Sequence, residues 1–133
     1  MNAKLLVGCL FGVVLFTSAC GGNPPASNTT VLTWGQAAAA GQSVFAGNCA
    51  ICHGSNGQGI TGPAIIGPSE ALVKYQTAQG LLQFISAAMP LSNPGSLSPQ
   101  QYSDVLTYLL VQNQFVNSTA PFDANQIASI PLK

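Results

Sequence analysis

The sequence predicts an all-α fold, a small domain of amphipathic helices joined by loops that contain glycine and proline. Two helix starts carry the capping-box pattern, at Thr33–Gln36 and at Ser98–Gln101. Apolar residues after the second start form a stripe at i, i+3, i+4, i+7 and i+8, which is the period of a helix that buries one face; they are Tyr102, Val105, Leu106, Leu109 and Leu110. A length of 133 residues supports one such domain.

The first helix is predicted to begin at its N-cap, Thr33, and to run through an alanine-rich stretch. Gly41, Phe45 and Cys49 are spaced four residues apart, so they share one face of this helix. Because glycine costs a helix about 1 kcal/mol relative to alanine, Gly41 predicts a compensating close approach by another helix. The alternative is a surface glycine that the helix tolerates.

The helix leads into the pentapeptide Cys49-Ala50-Ile51-Cys52-His53. C-x-x-C-H is typical of the attachment site of a c-type haem. The two thiols, one helical turn apart, can form thioethers with the two vinyl groups of one porphyrin. The adjacent His53 can then supply one axial nitrogen to the iron.

Two other interpretations of this C-x-x-C are open. A thioredoxin-like redox pair needs a βαβ context and a first thiol of low pKa, whereas here a histidine and a glycine-rich loop follow. A structural zinc site needs four ligands. His53 is the only histidine in the chain and there is no second C-x-x-C, so a zinc site lacks ligands.

The helix and motif together, Gly41-x-x-x-Phe45-x-x-x-Cys49-x-x-Cys52-His53, resemble the N-terminal helix of class I cytochromes c. The resemblance implies a cytochrome c fold, a small helical domain wrapped around one covalently attached haem. It also implies that the Gly41/Phe45 face crosses the C-terminal helix at a contact formed by an aromatic residue. In the same family a Gly-Pro pair like Gly62-Pro63 places the proline carbonyl against Nδ1 of the axial histidine. The alternative for Pro63 is a generic turn proline.

Two helices are predicted between this loop and the second capping box. A short one runs from Pro68 to about Tyr75, with Ser69 as its N-cap. Thr77 caps the next helix, which stops near residue 88 because Pro90 disfavours helical backbone before it. The apolar face of this helix is predicted to consist of Leu81, Phe84, Ile85 and Ala88.

Met89 stands at the end of that helix, and the only other methionine of the chain is Met1. The Met89-Pro90 dipeptide resembles the methionine loop of many bacterial class I cytochromes. This resemblance implies that Met89 is the second axial ligand, a thioether that favours Fe(II). The alternative is a methionine that fills a gap in the core.

The closing helix begins at Ser98, with Pro99 suited to the first helical position and Leu97 placed to pack against Tyr102. Residues 105–109 resemble the C-terminal helix of class I cytochromes c. By that match Val105 and Tyr108 meet the Gly41/Phe45 face, and Leu109 packs towards the haem. The resemblance covers residues 34–113. The apolar residues of the remaining tail have no clear period, so two alternatives stay open: the tail packs over its own domain, or it lies along a partner, which we slightly favour.

The N-terminus predicts export. Lys4 precedes the apolar run Leu5–Phe16, and Thr17-Ser18-Ala19 leads to Cys20. This stretch resembles the lipobox of bacterial lipoproteins, except that Thr17 stands where leucine is usual. The resemblance implies cleavage before a lipidated Cys20; an uncleaved signal anchor is the alternative. We therefore expect the extracytoplasmic face of a bacterial cell membrane.

The predicted organisation is a signal peptide over residues 1–19, a lipid-anchored flexible linker over 20–33, a cytochrome c domain over 34–113 and a C-terminal tail over 114–133. The chain has three lysines, no arginine and three acidic residues. There is no basic patch to neutralise phosphates, so nucleic acid is excluded as a partner.

The sequence predicts a membrane-tethered monohaem c-type cytochrome that carries single electrons between respiratory or photosynthetic membrane components, and not an enzyme in itself. The expected partners are a membrane electron-transfer complex, other cytochromes or copper proteins. Small lipid-anchored monohaem subunits of quinol-oxidising assemblies such as alternative complex III look similar. Two alternatives are the haem subunit of an exported dehydrogenase or sulfur-oxidising enzyme, and a haem-based gas sensor in which Met89 is displaced.

Overall fold

The computed structural model describes residues 31–68 and 71–133. These ranges contain four α-helices, α1 (Trp34–Asn48), α2 (Ala50–His53), α3 (Ala78–Ala88) and α4 (Pro99–Gln112), and two 3₁₀ segments, Val73–Tyr75 and Ala124–Ser129. No β-strand occurs in the ranges described; the extended pairing there consists of two isolated bridges, Thr33 with Pro121 and Thr77 with Pro131. The predicted all-α fold class is confirmed.

Both predicted capping boxes are present. The Thr33 side chain accepts from the Gln36 amide while the Gln36 side chain accepts from the Thr33 amide at 2.8 Å. Ser98 and Gln101 make the same reciprocal pair at the start of α4, with Pro99 in the first turn. These bonds satisfy amides that the first turn of a helix leaves without intrahelical partners. The helix starts follow directly from local side-chain chemistry.

Helices α1 and α4 cross in backbone contact at Gly41. A Cβ atom on Gly41 would overlap the Asp104 carbonyl and would lie 2.7 Å from Cβ of Tyr108. One turn further along α1, the rings of Phe45 and Tyr108 pack with their centroids 5.3 Å apart. The predicted close approach is therefore confirmed, and the aromatic contact expected from the cytochrome resemblance is present.

Helix α4 forms the centre of the core. Its residues from Val105 to Leu110 are all buried, and the largest fully buried side chains of the described residues come from four different segments. They are Phe45, Leu81, Leu106, Leu110 and Leu132. The prediction for α3 is wrong at Phe84, which is 37 % exposed. Its ring packs instead on Tyr75, with centroids 4.8 Å apart.

The C-terminal tail packs on its own domain, so the expectation that it lies along a partner is wrong. The Phe122 ring meets Trp34 edge-on at 4.9 Å, and Leu132 is 1 % exposed. Backbone bonds hold both ends, from the Phe122 amide to the Leu32 carbonyl at 2.7 Å and from the Leu132 amide to the Gln76 carbonyl at 2.9 Å. The tail thus ties the start of α1 to the segment before α3.

Several predictions fall on residues outside the described ranges. These are the signal peptide, the Cys20 anchor, most of the linker and the Ser69 cap. Of the short helix predicted to end near Tyr75, the described part shows one 3₁₀ turn. None of the helices in residues 31–68 and 71–133 combines the length and apolar character needed to cross a membrane.

Candidate cofactor site

Helix α2 is a single turn that presents the two thiols of the C-x-x-C-H motif to one cleft. Cys49 is the residue between α1 and α2, Cys52 lies on α2, and both thiols are free. Burial raises the pKa of the Cys49 thiol to about 11, because the apolar surroundings disfavour the thiolate. A disulfide-exchanging pair requires a first thiol of lowered pKa. The chemistry of this pair therefore argues against the thioredoxin-like interpretation.

The His53 ring is fixed by a backbone carbonyl. Its Nδ1 lies 2.8 Å from the carbonyl oxygen of Pro63. With the proton on Nδ1 this nitrogen donates to Pro63, and Nε2 keeps its lone pair for a metal. A carbonyl partner of this kind is the usual arrangement behind a metal-bound histidine. The structure thus brings Pro63 to the position that the cytochrome resemblance implies.

The loop between His53 and Pro63 wraps closely around the imidazole. The Gly59 amide donates to the His53 carbonyl at 2.7 Å, and the Gly62 amide donates to the Cys52 carbonyl at 2.9 Å. A Cβ atom on Gly62 would lie 2.9 Å from Cε1 and 3.0 Å from Nδ1 of His53. Only glycine leaves room for the ring in this place, so Gly62 belongs to the site by sterics.

Asn113, at the C-terminal end of α4, anchors the chain just after this loop, at Ile65, and was missed by sequence reasoning. Its side-chain amide donates to the carbonyls of Ile65 and Leu109, each at 2.9 Å. The bond to Ile65 spans 48 positions in the chain. No local pattern signals such a bond, because its partner is a backbone carbonyl that becomes a neighbour only in the folded state.

Met89 reaches the same cleft from the other half of the domain. It follows α3 in extended backbone, and its amide still bonds to the Ile85 carbonyl at 3.0 Å. The Tyr102 hydroxyl of α4 donates to the Met89 carbonyl at 2.7 Å. Cys49, Cys52, His53 and Met89 all line one cleft. The predicted ligating residues are therefore brought together, and Pro63 lies behind His53.

The cleft is apolar and open on one side. Its empty space is about 920 Å³ when the part open to solvent at the mouth is included. Side chains from α1, α3 and α4 form its walls, and no Asp, Glu, Lys or Arg of the described residues lines it. The apolar walls include Phe45, Ile65, Ile85, Val105 and Leu109.

These residues fit a c-type haem. Two thiols one turn apart, an imidazole with its Nδ1 held by a carbonyl, a thioether and an apolar slot are the donor set and surroundings that such a group requires. Zinc does not fit, because the described residues contain no group of three His, Cys, Asp or Glu that could hold a metal ion.

This chain matches a known protein family. The family described as cytochrome c oxidase, cbb3-type, subunit III matches residues 36–109. This range includes the C-x-x-C-H motif, Pro63 and Met89. It covers more than half of the chain.

Two curated proteins are similar in sequence. A cytochrome c-553-like protein of Synechocystis sp. is 32 % identical over 69 residues, which cover 52 % of this chain and 63 % of that protein. Thiosulfate dehydrogenase of Psychrobacter arcticus is 31 % identical over 98 residues, covering 65 % of this chain and 27 % of that protein. The chain thus spans less than two thirds of the length of each.

Among solved structures, the sulfane dehydrogenase SoxCD of Paracoccus pantotrophus is similar in fold. The superposition has a TM-score of 0.60 at 23 % sequence identity, and it covers 80 % of this chain and 62 % of that one. At this level of identity the match concerns the helical fold alone.

Proposed function

Because this chain belongs to the cytochrome c oxidase, cbb3-type, subunit III family and is a c-type cytochrome, we propose that Cys49 and Cys52 bind a single haem and that His53 and Met89 ligate its iron. The observation that carries the proposal is the convergence of these four side chains on one apolar cleft, with the His53 Nδ1 held 2.8 Å from the Pro63 carbonyl.

When bound, the haem supplies one-electron redox chemistry. The chain supplies the environment. Cys49 and Cys52 fix the group covalently, and the Pro63 carbonyl holds the imidazole of His53 and raises its basicity. The Met89 thioether favours the reduced iron and raises the reduction potential relative to a second histidine. The apolar walls keep water away from the iron. With His53 and Met89 both holding the iron, the site would favour electron transfer over activation of a small molecule.

Two exposed aliphatic residues, Ile51 and Leu91, lie at the mouth of the cleft. Ile51 on α2 is 82 % exposed and Leu91, after Met89, is 75 % exposed, and both line the cleft. Exposed aliphatic residues at the opening of a redox site suit contact with a partner protein. Few charges are available for electrostatic steering. This favours a partner that is already close, such as a neighbouring subunit, over a distant one reached by diffusion.

We propose that a lipid on Cys20 provides this closeness. The sequence around Cys20 supports the proposal. The composition of residues 21–31, rich in Gly, Pro, Asn, Ser and Thr, is typical of a linker, and a flexible linker of this length would have an r.m.s. reach of about 17–20 Å. That reach would keep the domain near the extracytoplasmic face of the membrane. Within this setting the cytochrome serves as a subunit of a quinol-oxidising complex and passes single electrons to other cytochromes or copper proteins.

A second candidate is a haem subunit of an exported sulfur-oxidising dehydrogenase. The observation that favours it is the 31 % identity to the thiosulfate dehydrogenase of Psychrobacter arcticus, over 98 residues. The chain covers 27 % of that enzyme, so the likeness concerns a part of it. A haem-based gas sensor would require Met89 to leave the iron.

Co-purification from native membranes in mild detergent separates these functions. Quinol-oxidising subunits that remain bound to the cytochrome would support the first proposal, and a sulfur-oxidising dehydrogenase in the same fraction would support the second. Carbon monoxide added to the reduced protein tests the sensor, since a site ligated by both His53 and Met89 should bind it slowly and weakly. Prompt, tight binding would contradict the electron carrier.

A further inference from the structure

The hydroxyl of Tyr102 forms a polar contact inside an otherwise apolar part of the cleft. Tyr102 is 5 % exposed and its side chain lines the cleft beside Met89. The hydroxyl donates to the Met89 carbonyl at 2.7 Å and accepts a longer bond, 3.4 Å, from the Leu97 amide. A phenol can do both, because it is one donor and also an acceptor.

These two bonds hold both ends of the segment that joins α3 to α4. Residues 91–96 of this segment are exposed, so burial contributes little to its position. Its internal bonds are local turns, such as the Asn93 amide to the Pro90 carbonyl at 2.9 Å. The Tyr102 hydroxyl connects the segment to α4, the most deeply buried helix of the described chain.

We infer that Tyr102 is a positioning residue for the Met89 thioether. The inference rests on the proposed ligation of the iron by Met89. A flexible methionine side chain reaches a metal reproducibly only if its Cα is fixed, and the bond from Tyr102 fixes the carbonyl attached to that Cα. When the bond is absent, Met89 leaves the iron more often and an external ligand can enter.

The packing role of Tyr102 does not require its hydroxyl. The ring occupies the apolar stripe of α4 that the sequence predicts, where phenylalanine would fill the same space. Removing the hydroxyl alone leaves the Met89 carbonyl without its short buried bond and preserves the apolar contacts. Tyr102→Phe is therefore the variant that separates positioning from packing.

Tyr108→Phe is the matched control. Tyr108 lies on the same helix and is 7 % exposed, but its ring packs on Phe45 and does not line the cleft. This variant also removes one phenol hydroxyl from α4. It should leave the segment around Met89 unchanged.

The experiment uses the haem-loaded ferric proteins and two measurements. One is the far-red charge-transfer absorption that reports a thioether on ferric iron; the other is the rate at which added imidazole replaces that thioether. Tyr102→Phe should bind imidazole roughly tenfold faster than the wild type, with weaker far-red absorption. Tyr108→Phe should remain within about twofold of the wild type. Denaturant unfolding of both variants checks that they are folded.

An imidazole rate in Tyr102→Phe equal to that of the wild type would overturn the inference and leave the proposed function intact. So would an equal acceleration in Tyr108→Phe, since it would reveal a general loosening of α4. A wild-type protein with no thioether absorption would overturn the ligation by Met89 as well, and Met89→Ala gives the reference spectrum for that outcome.

Discussion

At the scale of single residues, the site depends on two hydrogen bonds between a side chain and a backbone carbonyl. Pro63 fixes the His53 ring and Tyr102 fixes the Met89 carbonyl, with separations of 2.8 and 2.7 Å. The His53 ring is held at Nδ1, which leaves Nε2 free to face the cleft, and Met89 is held at its backbone carbonyl, which leaves the thioether free to face the cleft. Such support orients a ligand without occupying a coordination position.

Met89→Ala tests the second axial ligand. We expect the variant to keep its covalent haem, because Cys49 and Cys52 are untouched, and to have a lower reduction potential, since the thioether that favours Fe(II) is gone. The potential is measured by redox titration of the visible spectrum. The reduced variant should also bind carbon monoxide rapidly.

An unchanged potential in Met89→Ala would show that Met89 is not a ligand. Leu91→Ala is the control, because Leu91 lies at the mouth of the same cleft, two residues away, and is 75 % exposed. Its potential should stay close to that of the wild type.

The sequence allowed the four residues that meet in the cleft to be predicted, because they stand in a short motif or are nearly unique in the chain. His53 is the single histidine. The sequence did not indicate Asn113 or the role of the Tyr102 hydroxyl. Both bond to backbone carbonyls, 48 and 13 positions away respectively, and a carbonyl gives no sign in the sequence. The helical period assigned Tyr102 to the apolar stripe and could not reveal its polar end.

At the scale of elements, the helix starts could be predicted, because they depend on side chains close to them in the sequence. The N-caps of α1, α3 and α4 use side chains three residues or fewer from the amides they satisfy, so the starts of these helices were predictable. The packing of the tail was not predictable, because its backbone is irregular apart from one 3₁₀ segment and its apolar residues follow no helical or strand period. Phe84 was misassigned because helical spacing alone does not show that its ring packs on Tyr75 at the edge of the core and stays 37 % exposed.

Gly41 and Gly47 form a matched pair on α1 for testing the helix crossing. Gly41→Ala places a Cβ against the Asp104 carbonyl and 2.7 Å from Tyr108 Cβ, and forced overpacking should lower the free energy of unfolding by about 1–3 kcal/mol or more. A Cβ on Gly47 meets nothing within 4 Å, so Gly47→Ala should raise stability by up to about 1 kcal/mol. Chemical denaturation measures both changes.

Equal effects of the two substitutions would contradict the crossing described here. Replacing glycine by alanine raises the intrinsic helix propensity equally at both positions. A difference between the two changes in the free energy of unfolding therefore reports the surroundings of each glycine.

At the scale of the whole molecule, sparse charge is the property that separates this domain from a cytochrome steered by surface charge. The described residues carry Lys74, Asp104, Asp123 and Lys133, and none of these lines the cleft. The exposed aliphatic residues at the mouth leave an apolar approach to the redox site. Together with the proposed tether, this predicts encounters governed by proximity.

Electron transfer to a soluble redox partner should therefore depend little on salt. We expect the second-order rate to change by less than about twofold as ionic strength rises from about 0.01 to 0.15 M, over which the screening length falls from about 30 to 8 Å. Stopped-flow kinetics measure the rate. Leu91→Lys adds a charge at the mouth and should introduce a clear salt dependence with an acidic partner. A steep dependence in the wild type would show that charges steer the encounter.

Intact-mass spectrometry of the exported protein, produced with a c-type haem maturation system, tests the central claim most directly. If one haem is bound covalently to Cys49 and Cys52, the mass exceeds that of the polypeptide by one haem. This increase should survive denaturation and be lost when both cysteines are replaced by serine. A wild-type mass equal to that of the polypeptide alone, after correct export and maturation, would contradict the claim.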